Sequence, residues 1–169
     1  MRYRSKTCPL VLVMPFYYKK RANMKEDMNR PVRDVMTLEV ISVAPNAPIE
    51  QVVQLFQKHA FHHLPVTEEG RLRGIISKID LLDFYEDISH WIDNKDQTRY
   101  MMTNTMASEV MTESPVTINA DDTIEYAAGI FKENYFHALP VVEGENLVGV
   151  LTTYDIICYA FKPNFLDVL

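Results

Sequence analysis

Cysteine, glycine and long apolar runs are scarce in this chain, and each scarcity removes a class of protein. The only two cysteines among the 169 residues, Cys8 and Cys158, stand far apart with no Cys-x-x-Cys between them. Neither a disulfide framework nor a thiolate zinc site is therefore expected, and a reducing, cytoplasmic setting is. Five glycines leave no Gly-rich phosphate loop and no Gly-x-Ser-x-Gly elbow, which argues against a dinucleotide-binding fold and an esterase. The apolar run CPLVLVMPFYY at 8–18 is interrupted by Pro9 and Pro15. It is about half of the ~20 residues that span a bilayer, and no small-x-small cleavage site follows its basic flank, so no transmembrane segment is expected.

What remains is the balance of a soluble globular chain, 47% hydrophobic and 24% charged, large enough to bury a core. The charge is uneven. Residues 1–25 carry Arg2, Arg4, Lys6, Lys19, Lys20, Arg21 and Lys25 and no acid. Of 17 basic residues 10 then remain against all 23 acids, a net of −13 on the body. So acidic a body repels nucleic acid, and no nucleic-acid partner is expected. The basic arm, residues 1–30, reads either as a packed or frayed extension or as a contact for an anionic membrane surface or a partner.

Self-comparison shows a duplication. Val35-Met36-Thr37 recurs as Val110-Met111-Thr112, and Phe61-His62-x-Leu64-Pro65-Val66 as Phe136-His137-x-Leu139-Pro140-Val141, both displaced by 75. Aligning 32–85 with 107–160 needs no gap and gives 15 identities in 54 pairs. Each copy reads the same way by periodicity. A short β-type run, Val40–Val43 or Val116–Ile118, precedes a helix that opens near Pro48 or Thr123 and carries Ile49, Val52, Val53 and Phe56 at helical spacing in the first copy. Two apolar runs, His63–Thr67 and Leu72–Ser77, then form a hairpin, and a second helix starts near Lys78 and runs through Ile92; the second copy repeats this with Leu139–Val142, Leu147–Leu151 and a helix from Thr153 to Phe161. Units this small bury little alone, so the expected fold is α+β, two β-α-β-β-α repeats packed about a pseudo-twofold with two quasi-equivalent clefts between them. The expected limits are 31–85 and 107–162 for the repeats, 86–106 for a connector helix and loop, and 163–169 for a tail.

Ser77-x-x-Asp80 and Thr152-x-x-Asp155 each stand where a strand gives way to a helix. Backbone N–H groups and the positive helix end face the same volume as these side chains. A carboxylate there can accept from both hydroxyls of a ribose, and the neighbouring hydroxyl can meet ribose or phosphate. The same spacing is equally a capping box that satisfies the helix's own N–H groups, and a duplicated helix start would be capped twice. His59-x-x-His62-His63 has no cysteine to complete a metal site, and its members fall on different elements, so no metal is expected.

These residues resemble a tandem pair of CBS domains, the module named after cystathionine β-synthase, over roughly residues 31–162. The resemblance rests on the Val-Met-Thr segment, the x-x-Leu-Pro-Val strand, the Leu-x-Gly-hydrophobic-hydrophobic-Ser/Thr strand and the final Ser/Thr-x-x-Asp, each present twice. It implies one disc-forming module with a regulatory rather than catalytic role, binding AMP, ADP, ATP or S-adenosylmethionine in its clefts, with no required cofactor. It assigns ribose to Asp80 and Asp155, with Ser77 and Thr152 beside them. Phosphate falls to His62, His63 and His137, which stand where relatives often carry histidine or arginine. The first copy adds Lys78 where the second has Thr153, so it offers more positive charge to a polyphosphate. Arginine stands at none of these positions, a departure from many nucleotide-binding relatives. The resemblance also implies a homodimer whose output reaches an unknown protein partner in trans. The alternative is a structural, protein-interaction or oligomerisation module without a small-molecule ligand. In the connector, Ile88, Trp91 and Ile92 form an apolar edge that caps the core or meets a partner, and Met101, Met102 and Met106 supply adaptable packing.

Overall fold

The structure is a computed structural model that describes residues 28–89 and 94–161. The basic arm up to residue 27, Trp91, Ile92 and the tail from 162 lie outside the described residues. After a 3-10 turn at Val32–Asp34, the first repeat forms α1 (Ile49–Lys58), the hairpin β1 (His63–Glu68) and β2 (Arg71–Ser77), and α2 (Lys78–Ser89). The connector carries α3 (Lys95–Asn104). The second repeat opens with α4 (Ala107–Val110) and the two-residue strands β3 (Thr112–Glu113) and β4 (Ile118–Asn119). It continues with α5 (Ile124–Glu133), the hairpin β5 (Ala138–Glu143) and β6 (Asn146–Thr152), and α6 (Thr153–Ala160).

The helices and hairpins follow the expected order because the pattern of apolar positions decides them locally. On α1, Ile49, Val52 and Phe56 lie on one buried stripe, and the extended Pro48 precedes the first helical residue. Both hairpins pair antiparallel with a register shift at equivalent places, between Val66 and Thr67 and between Val141 and Val142. Their turns use left-handed residues, Glu69 at φ 51° and Gly70 at φ 81° in one and Gly144 at φ 64° in the other; glycine takes that conformation without steric cost. One expected strand is missing. The run Val40–Val43 forms only an isolated parallel bridge, Val43 to Val66, while the second repeat has β4 parallel to β5 in the same place. Ala44-Pro45 ends the run at once, where the second repeat continues with Asn119-Ala120, so a single ladder step is all that forms. In the connector, α3 is a separate helix, opened by Asn94, whose side chain accepts the Asp96 N–H, and tied to α2 by the Tyr85 hydroxyl donating to Met102 Sδ at 3.3 Å. Ile88 is buried.

The two halves share their first segments. The Thr112–Glu113 strand of the second repeat pairs with Ile75 and Gly74 on β2 of the first, and Thr37 of the first repeat bridges to Val150 on β6 of the second. The backbone contacts obey the offset of 75. Val32 N–H donates to Asp122 O at 2.8 Å and Ala107 N–H to Ala47 O at 2.7 Å; Ile49 N–H donates to Thr105 O and Ile124 N–H to Arg30 O. The hairpin tips meet at the pseudo-twofold, where Leu72 N–H donates to Glu145 O and Leu147 N–H to Gly70 O, both at 3.0 Å. Each core is therefore mixed. Ala107, Val110 and Met111 pack into the core built on Leu64, Val66 and Ile76, and Val32, Val35 and Met36 into that built on Leu139, Val141 and Leu151. Glycine makes the crossing possible: a Cβ on Gly74 would lie 2.5 Å from Met111 Sδ, and one on Gly149 2.6 Å from Met36 Sδ.

Candidate ligand site at the strand-to-helix turns

Both Ser/Thr-x-x-Asp sequences form closed capping boxes. Ser77 N–H donates to Asp80 Oδ2 at 2.6 Å and Asp80 N–H to Ser77 Oγ at 3.1 Å. In the second repeat Thr152 N–H donates to Asp155 Oδ2 at 2.8 Å, Asp155 N–H to Thr152 Oγ1 at 3.2 Å, and the Thr152 hydroxyl to the same carboxylate oxygen at 2.6 Å. Each carboxylate is thus held by one oxygen at the opening turn of its helix, while its Oδ1 has no hydrogen-bond partner among the described residues. Capping and ligand binding are compatible in this geometry, because a carboxylate carries about four acceptor positions.

The strand starts bring the histidines to the same place. His62 O accepts the Lys78 N–H at 3.0 Å, and His137 O accepts the Thr153 N–H at 3.1 Å, so each histidine is fastened to the helix start of its own repeat. His63 pairs with Ser77 across the first hairpin, and Ala138 with Thr152 across the second. Burial holds the His63 imidazole below its ordinary 6.5; the nearby His62 and His137 push it further down and Asp80 pulls it up. The first repeat's pair and the second repeat's histidine are therefore close enough to act on one another, although they lie 75 positions apart. His63 enters neutral at pH 7, a hydrogen-bonding group first and a cation only when an anion or lower pH charges it. Lys78 is half-buried with its Nζ 5.8 Å from the centre of the Phe56 ring, a cation–π arrangement.

Two residues were not among the sequence candidates. Ile75 pairs with Thr112 and Val150 with Thr37, so each threonine lies beside a strand residue two positions before Ser77 or Thr152. The recurrence of Val-Met-Thr was their signal, but spacing alone does not say that each joins the other repeat's helix start. His59 lies away from any metal arrangement. Its ring stacks on Phe61 at 5.3 Å, and among the described residues no group of three His, Cys, Asp or Glu stands where it could hold a metal ion.

A duplicated α+β unit, crossed by its own first segments and carrying two carboxylate-capped helix starts, defines a tandem-repeat α+β module. Residues 32–87 and 107–162 both match the CBS domain, and the chain belongs to that family. It is similar to an uncharacterized protein of Methanocaldococcus jannaschii, MJ1404, at 26% identity over 83% of this chain and 46% of that one. Among solved structures it resembles CBSX2 in complex with AMP, with 25% identity, a TM-score of 0.65 and coverage of 82% of this chain and 98% of that one. It also resembles the CBS domain pair of MJ0100 in complex with 5'-methylthioadenosine and S-adenosyl-L-methionine, with 25% identity, a TM-score of 0.59 and coverage of 75% and 92%. The chain spans about half the length of several curated relatives it matches. Among the described residues no helix is long and apolar enough to cross a membrane.

Proposed function

We propose that this chain is a non-catalytic regulatory module that binds an adenosine-containing ligand, AMP, ADP, ATP or S-adenosylmethionine, between its repeats and passes the bound state to a partner in trans. The observation that carries the reading is the pair of carboxylates fixed through Oδ2 with Oδ1 open, at two equivalent helix starts each bordered by a threonine of the other repeat. In this reading Asp80 and Asp155 accept from ribose hydroxyls, Ser77 and Thr152 orient them, and the helix N–H groups with His62, His63, His137 and Lys78 meet phosphate. The first site takes the more highly charged ligand. The AMP held by CBSX2 and the adenosyl ligands held by the MJ0100 pair support this class of ligand.

The module acts in the cytoplasm as a homodimer. Ile79 and Leu82 on α2 and their counterparts Tyr154 and Ile157 on α6, 75 positions on, are exposed by 67%, 60%, 58% and 55%. An apolar face repeated about a pseudo-twofold suits isologous pairing with a second copy.

The test is thermal unfolding and calorimetry with AMP, ADP, ATP and S-adenosylmethionine. A ligand at a hundredfold excess over Kd stabilises the fold by about 2.7 kcal/mol, or ~5–10 °C for a chain of this size. Combining Asp80→Ala with Asp155→Ala removes the ligand-dependent part, each variant being compared with its own ligand-free baseline because the caps are lost as well. A shift that survives the double substitution sinks the site, and no shift with any of the four sinks the ligand class. A second reading, a structural interaction module without a ligand, is favoured by the completeness of both capping boxes; it predicts a partner retained after both substitutions.

A further inference from the structure

At the opposite end of β2 from the Ser77–Asp80 turn, a cavity of about 290 Å³ opens between the halves, lined among others by Arg71, Arg73, Ser114, Thr117, Val142 and Glu145. From Arg73 to Ser77 is four strand steps, about 13 Å, which separates the cavity from the ligand site proposed above. Its volume suits a small ligand.

The duplication supplies an internal comparison. In the first repeat the hydroxyl at the position equivalent to Thr117 belongs to Ser42, and it is closed by a 2.8 Å hydrogen bond with Thr67. In the second repeat Val142 replaces Thr67, so Thr117 has no such partner and lines the cavity instead. The positions equivalent to Arg71 and Arg73 are Asn146 and Val148, and those of Ser114 and Pro115 are Glu39 and Val40. Two guanidiniums of the first repeat and two hydroxyls of the second thus line one of the two equivalent places, whereas the other has Asn146 and Val148 opposite Glu39 and the already engaged hydroxyl of Ser42.

The arginines are only partly engaged. Arg73 reaches Glu68 Oε2 through Nε at 3.1 Å and Nη2 at 2.8 Å, and Arg71 reaches Glu145 Oε2 through Nη1 at 3.2 Å. Arg73 Nη1 and two nitrogens of Arg71 have no partner among the described residues. The side chains of both pairs are 46–76% exposed, a range in which an ion pair contributes roughly 0–1 kcal/mol and yields readily to a better acceptor. Ser114 is held in the left-handed region at φ 46° with its N–H on Arg73 O at 3.4 Å, which fixes the loop against the arginine strand.

We propose that this cavity is a binding site for a small oxyanion, a phosphate monoester or a carboxylate, received by Arg71 and Arg73 with the hydroxyls of Ser114 and Thr117, and that Glu145 and Glu68 occupy the guanidiniums until it arrives. Fork-shaped guanidiniums suit both anions, and a hydroxyl supplies the third direction of contact.

The experiment titrates the full chain with inorganic phosphate, glycerol 3-phosphate and succinate at constant ionic strength, following the backbone amides of Ser114, Thr117 and Gly144 by NMR. Saturable shifts are expected, with phosphate and glycerol 3-phosphate acting alone if the anion is a phosphoryl group and succinate acting if it is a carboxylate. Arg73→Gln weakens binding about tenfold, and Thr117→Val weakens it while Ser42→Ala does not. Glu145→Gln tightens binding several-fold by removing the internal competitor. Asp80→Ala with Asp155→Ala leaves it unchanged, so this site and the adenosyl site stand or fall separately. Shifts that rise linearly and match those in chloride, or a titration that Arg73→Gln leaves intact in a chain that still melts like the wild type, overturn the proposal.

Discussion

Replacing Gly74 by alanine tests the crossing of the two halves at its tightest point. The added Cβ would lie 2.5 Å from Met111 Sδ, 2.8 Å from Met111 Cγ and 2.8 Å from the backbone oxygen of Thr112, where carbon contacts settle at about 3.5–4.0 Å. Methionine can turn away; the Thr112 carbonyl cannot, because its residue pairs with Ile75 in the β2–β3 ladder. Relief therefore requires β3 to lift from β2, which disturbs the mixed core through Met111 and Val110. Overpacking of this kind costs ~1–3 kcal/mol, and Gly74→Ala belongs at the upper end. Gly149→Ala is the control. Its Cβ would meet mainly the flexible Met36 Sδ at 2.6 Å, with the Thr37 oxygen at a looser 3.1 Å, so the lower end is expected. At ~2–4 °C per kcal/mol for a chain of this length, calorimetric melting should fall by about 6–12 °C for Gly74→Ala and by about 2–4 °C for Gly149→Ala. Adding Met111→Ala to Gly74→Ala should cost less than the two single changes summed, since the methionine clash is counted in one of them. The reasoning is refuted if Gly74→Ala melts with the wild type, if Gly149→Ala is the more damaging, or if the double variant is additive.

Three other outcomes follow from the structure. Because His63 is held below 6.5 in the folded chain, the unfolded chain binds more protons as pH falls through that value, so stability present above about 6.5 is lost toward pH 5. Denaturant unfolding of His63→Gln at the two pH values should show that loss reduced, and an undiminished loss would assign it elsewhere. His62 and His137 repel the added proton and Asp80 attracts it, so a phosphate-bearing ligand that charges His63 should bind more tightly at pH 6 than at pH 8. If α2 and α6 form the dimer face, Leu82→Glu with Ile157→Glu should shift sedimentation toward monomer while leaving the fold intact, both residues being exposed in the single chain; an unchanged sedimentation coefficient would place the contact on another surface.

Most of the local structure was legible in the sequence because it is decided by short-range periodicity. The stripe Ile49, Val52, Phe56 and the paired Leu-Pro-Val and Gly-hydrophobic-hydrophobic strands carry their own burial pattern, and α1, α5 and both hairpins appear within a residue or two of the expected limits. Val40–Val43 failed as a strand because β-type composition does not supply a ladder partner, and only Val43 found one. At the candidate site, Ser77, Asp80, Thr152 and Asp155 were legible from a spacing that serves capping and ligand alike. The structure displays the cap directly, and the open Oδ1 atoms keep both roles available.

By itself the sequence determined that the chain is a duplication, which residues form the buried stripes of each copy and where the two main helices of each copy begin, since these depend on residues within one or two turns of each other. The tertiary structure alone decided which half each Val-Met-Thr segment belongs to. The two copies present nearly the same partner strands, and pairing Thr37 with the first or the second hairpin leaves every local preference equally satisfied. Only the packing of Met36 onto Gly149 and of Met111 onto Gly74, together with the reciprocal Val32–Asp122 and Ala107–Ala47 hydrogen bonds, selects the crossed arrangement. It is the long-range fit of side chain into backbone notch, invisible to any window along the chain, that joins two repeats into one module.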